Sequence, residues 1–142
     1  MTTRLDKEEE ALRLAFPQFR IQDPDGPNAG VIGRMRTNSR TEYTIWLGLG
    51  DFPNSAPAMY IIEPAGLTDH NGTLLSMIGP SAEMHLLQPD PHGHPQVCHY
   101  NGKFWLPRVS IHKILMKARL WLEAYESHRR EGLAIDAYLR HM

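Results

Sequence analysis

Cys98 is the single cysteine of the chain and sits in the run His94-Pro95-Gln96-Val97-Cys98-His99-Tyr100-Asn101, with His92 just upstream. The thiolate, not the thiol, is the nucleophile, and neighbouring positive charge lowers an ordinary thiol pKa of about 8.5. His94 and His99 are candidates for that charge, with His92 a third. A histidine near neutrality also serves as a general base toward an incoming amine. Attack on an acyl carbon creates an oxyanion that needs a hydrogen-bond donor, and the amides of Gln96 and Asn101 are candidates for it. Against this stands the common fate of a free cysteine, a small buried hydrophobe. His94-Pro95 reads equally as a tight turn, which is compatible with shaping a site. Zinc is the competing chemistry, because His92, His94, Cys98 and His99 fall within eight residues and His70 and His85 lie upstream. Structural zinc sites generally pair two spaced motifs, whereas this cluster has one thiol among prolines. No metal or other cofactor is therefore expected.

The 142-residue chain suits one domain, residues 1–142, with a real core. Apolar residues make up 42% and charged residues 22%, which argues against wholesale disorder. A formal net charge of -1 gives no global reason to bind nucleic acid or an anionic membrane. One cysteine excludes an intramolecular disulfide framework. Met1 to Glu10 is polar and acidic, unlike a signal peptide, and nowhere do about 18 apolar residues run together. A cytoplasmic, reducing setting is the expectation, and there a lone thiol stays free.

The elements that must position Cys98 are legible in outline. Arg4 to Phe16 predicts a helix, capped by Thr3, with Leu5, Leu12, Ala15 and Phe16 on one side and Pro17 closing it. Asp23 to Asn28 is a turn. Phe19–Gln22, Gly30–Thr37, Glu42–Leu49 and Ala58–Glu63 predict an antiparallel meander, because their connections are too short for parallel crossovers. Residues 65–94 read as a long loop holding a short strand near Glu83–Leu87. Ser110 then caps a helix whose apolar stripe is Ile111, Ile114, Leu115, Ala118, Trp121, Leu122 and Tyr125, with Gly132 at its end. A last helix spans Leu133–His141. The class is α+β.

This order of helix, four-stranded meander, active-site loop and two C-terminal helices resembles the ubiquitin-conjugating enzymes. Two stretches sharpen the resemblance. Asp51-Phe52-Pro53-Asn54-Ser55-Ala56-Pro57-Ala58-Met59 is similar to the family's aromatic-Pro-x-x-x-Pro run into the fourth strand, and His94-Pro95-Gln96 to its His-Pro-Asn. Gln96 stands where the family has the Asn that steadies the oxyanion. The family's usual cysteine place falls on Trp105, while Cys98 lies two residues beyond Gln96, closer to the placement in autophagy-type conjugating enzymes. The segment from Trp121 to Glu126, then Gly132, then Ile135 to Leu139 resembles the bacterial conjugating-enzyme homologues of antiphage (CBASS) operons. That resemblance implies a thioester on Cys98 with the C-terminus of a cGAS-like nucleotidyltransferase, passed on to target amines. An activating enzyme is a further implied partner, since no Gly-rich nucleotide-binding motif is present for self-adenylation. A scaffold that binds the cyclase or a ubiquitin-like protein without catalysis is the alternative.

Overall fold

The computed structural model describes residues 3–100 and 102–139. Helix α1 (Arg4–Ala15) begins on a reciprocal cap: the Thr3 hydroxyl accepts from Asp6 N–H at 3.1 Å, and the Asp6 carboxylate accepts from Thr3 N–H at 3.0 Å. Leu12 is buried and Leu5 and Phe16 pack beside the core, but Ala15 is exposed. The predicted stripe omits Glu8, which is buried and accepts from Ile111 N–H at 2.9 Å. A carboxylate there satisfies a free amide at the start of another helix and suits the positive end of its dipole.

Strands β1 (Phe19–Gln22), β2 (Gly30–Arg36), β3 (Glu42–Gly48) and β4 (Ala58–Glu63) form the expected meander. The sheet does not stop there. After helix α2 (Leu75–Ile78), two short strands, β5 (Leu86–Leu87) and β6 (Gln96–Val97), extend it to six antiparallel strands in the order β1-β2-β3-β4-β6-β5. The expected count of four is thus corrected to six. Strand β5 falls in the stretch Glu83–Leu87 where a short strand is expected; β6 has too few residues for an alternation to register, and its pairing depends on β4 being in place. Register puts Met59 opposite Val97 and Val97 opposite Leu86, so the buried face of β4 continues outward. That face, with Val31, Met35, Ile45, Leu47, Met59, Ile61, Val97 and Leu86, forms one core with the apolar stripe of α3 (Ile111–Glu131).

Helix α3 starts on Ser110, whose hydroxyl accepts from Lys113 N–H at 3.1 Å, and ends on Gly132 at φ 88°. Only glycine takes that left-handed conformation without strain. The final helix α4 (Ile135–Leu139) begins two residues later than expected, and the rest of the expected span to His141 lies outside the described residues. Among the described residues no helix is long and apolar enough to cross a membrane.

Candidate active site

Cys98 follows β6 directly, and its N–H donates to the carbonyl of His85 at 2.8 Å. The bond carries the β5–β6 pairing one residue further and fixes the backbones of Cys98 and His85 to each other. The thiol is partly exposed, with Sγ 3.9 Å from the carbonyl of Tyr100. Recesses of about 260, 500 and 300 Å³ are each lined by both Cys98 and His85. Cys98 is therefore not the fully buried small hydrophobe of the alternative reading.

His85 has φ 52°, which is uncommon for a residue other than glycine. Its Nε2 lies 2.8 Å from Asp136 Oδ1, and the backbone N–H of Asp136 donates to the Glu83 carbonyl at 2.9 Å. Helix α4 thus holds this loop at two points. Trp121 of α3 supplies a third, its indole N–H donating to the Met84 carbonyl at 3.1 Å. A carboxylate oxygen can only accept, so Nε2 donates to Asp136 and Nδ1 is the ring nitrogen left for another partner.

His99 is half-buried. Its Nε2 lies 2.6 Å from the Pro57 carbonyl and so donates, while its buried Nδ1 has no hydrogen-bond partner among the described residues. Burial pushes the His99 pKa below the ordinary histidine value; the Lys117 ammonium adds to the effect and the Pro57 bond opposes it. Lys117 of α3 donates to the His99 carbonyl at 3.2 Å and sits 3.5 Å above the Tyr100 ring. Tyr100 meets Trp105 edge-on at 5.2 Å between centroids, and the Trp105 indole donates to the Pro53 carbonyl at 2.9 Å. His99 and Trp105 therefore tie the proline segment before β4 to the cysteine segment after β6. The two stretches that carried the resemblance meet in space.

The other candidates fall elsewhere. His94 Nδ1 lies 2.6 Å from Asp90 Oδ2, and Asp90 Oδ1 also accepts from the backbone N–H groups of His92 and His94, both at 2.9 Å. This is a self-contained turn, and His94 lines none of the recesses at Cys98. Gln96 pairs with Tyr60 and Leu87, which places it on the sheet face opposite Val97 and the core. It too lines none of those recesses. Asn101 lies outside the described residues. No three His, Cys, Asp or Glu side chains among the described residues converge as a metal site.

Lys117 and Asp136 had no chemical role in the sequence reading, and His85 figured there only as an upstream histidine. His85 and Asp136 are 51 residues apart, beyond any local motif. The one available signal was that Asp136 falls in the tail carrying the family resemblance. No family model, curated protein or solved structure matches the chain.

Proposed function

We propose that this chain is a ubiquitin-conjugating-enzyme-like acyl carrier of antiphage cyclic-nucleotide systems. In this reading Cys98 accepts the C-terminus of a cGAS-like nucleotidyltransferase as a thioester and passes it to target amines. The observation that carries it is the setting of Cys98, a partly exposed thiol at the meeting point of three recesses with two imidazoles and an ammonium around it. A thiol so placed is open to a carbonyl and has basic side chains beside it. Phe104 and Leu120, both exposed, border the same recesses and give an incoming chain an apolar surface. Mixing the protein with its cyclase, and with an activating enzyme where one is encoded nearby, should give an adduct that thiol reductant removes. Cys98→Ala should abolish it. A complete absence of adduct with folded partners would contradict the proposal.

One observation favours a second reading, a non-catalytic scaffold for the cyclase or a ubiquitin-like protein. Gln96, the counterpart of the family's oxyanion-stabilising Asn, faces away from the core side of the sheet. Cys98→Ser protection equal to wild type in phage-challenged cells would select it.

A further inference from the structure

The geometry points to His85 as the general base of Cys98 and to Asp136 as the positioning residue that orients it. This rests on Cys98 being the nucleophile, but not on the identity of its acyl donor. Three observations converge on the trio. Cys98 and His85 are joined by a 2.8 Å backbone hydrogen bond and line the same three recesses. Asp136 lines one of these recesses with them and holds His85 Nε2 at 2.8 Å. The His85 loop is fixed in this place by the bond from Asp136 N–H to the Glu83 carbonyl and by the Trp121 indole bond to the Met84 carbonyl. A nucleophile, a base and a carboxylate that orients the base constitute a recurring arrangement for acyl transfer, defined by roles and not by chain order.

The steps balance. The Cys98 thiol gives its proton to His85 Nδ1, and the thiolate attacks the carbonyl carbon of a donor thioester. The new S–C bond forms, the old one breaks, and the departing thiolate takes the proton from the imidazolium. In the second step a target amine attacks the Cys98 thioester, the amide C–N bond forms, and the amine's proton passes through His85 to the Cys98 sulfur. Asp136 keeps Nε2–H occupied and stabilises the imidazolium in both. His99 is a poorer candidate for this work, since its ring is held by Pro57 and burial disfavours its charged form.

The titratable groups around Cys98 are His85, His99, Tyr100, Lys117 of α3 and Asp136 of α4. Iodoacetamide alkylation of Cys98, followed from pH 5 to 9 by intact mass, separates their effects without any biological partner. His85→Asn keeps a residue type tolerant of the left-handed backbone, and it should lower the rate at pH 7 by about tenfold or more. Asp136→Asn, which removes the carboxylate that orients the ring, should lower it by about threefold. Imidazole added to His85→Gly should restore part of the rate, which a merely structural role would not allow. A wild-type profile in folded His85→Asn, or loss of the low-pH arm in His99→Gln alone, would overturn the assignment. Adduct formation with the cyclase is scored separately. If it fails while the alkylation profiles follow this order, the donor assignment falls and the trio stands.

Discussion

Among the described residues two histidine–aspartate pairs, one lining the recess at Cys98 and one just before it in sequence, are built in opposite ways. His94 and Asp90 are four residues apart, and with the bonds of Asp90 to His92 and His94 N–H they close a turn stopped by Gly93 at φ 82°. The loop at Asp69 repeats the plan, with its carboxylate accepting from Asn71 and Thr73 N–H and Gly72 at φ 85°. That repetition marks the His94 turn as a folding device of the chain. His85 and Asp136 come instead from distant segments that meet only when α4 docks on the loop before β5, and they line one recess with Cys98. A histidine adjacent in sequence to a nucleophile can serve the backbone, while one brought by the fold can serve the chemistry.

Breaking the supports of each pair separately should sharpen this contrast. Trp121→Ala removes the side chain that fills the core under the His85 loop and bonds Met84, and it should cost about 3–5 kcal/mol in urea unfolding. Asp90→Ala dissolves the His94 turn and should cost about 1–3 kcal/mol. It should nonetheless leave Cys98 alkylation within about twofold of wild type, whereas a tenfold loss would put the His94 turn inside the site.

The pH dependence of stability should also divide the two regions. His99 has a folded pKa below its unfolded value, so the stability it contributes is complete above the ordinary histidine range and lost as pH falls through it. Between pH 7 and 5 the wild type should lose more stability than His99→Gln, measured by thermal melts. The Asp90 pKa is also lowered: burial acts to raise it, but the His94 backbone and side-chain bonds, its charge and the His92 N–H together outweigh burial. Its contribution is therefore present above the usual carboxylate range and disappears as pH falls below it. Asp90→Asn should flatten only that acid limb, the smallest of these effects.

The sequence exposed whatever repeats at short range. Thr3, Ser110 and Gly132 marked helix ends, and the α3 stripe from Ile111 to Tyr125 is buried as its spacing required. The four meander strands begin and end within about a residue of where alternation and prolines put them. The short strand expected near Glu83–Leu87 is β5, whereas β6 escaped because Val97 acquires meaning only across the sheet, between Met59 and Leu86. Of the candidate site, Cys98 and His99 were legible by type and position. Lys117 reads as a solvated helix lysine until Tyr100 and the His99 carbonyl are seen beneath it. His85 and Asp136 could not be joined by spacing, because their contact is made by the packing of α4 and the bond from Asp136 N–H to Glu83.

The proposed chemistry turns on Cys98 as an acyl-accepting nucleophile. The direct measurement is the rate at which the folded protein takes the acyl group from a small C-terminal glycyl thioester at pH 7, by intact mass and peptide mapping. A hydroxylamine-sensitive acyl group should form on Cys98, faster than on free N-acetylcysteine at equal concentration, and should be absent from Cys98→Ala. Acylation no faster than the free thiol, or confined to lysines, would contradict it.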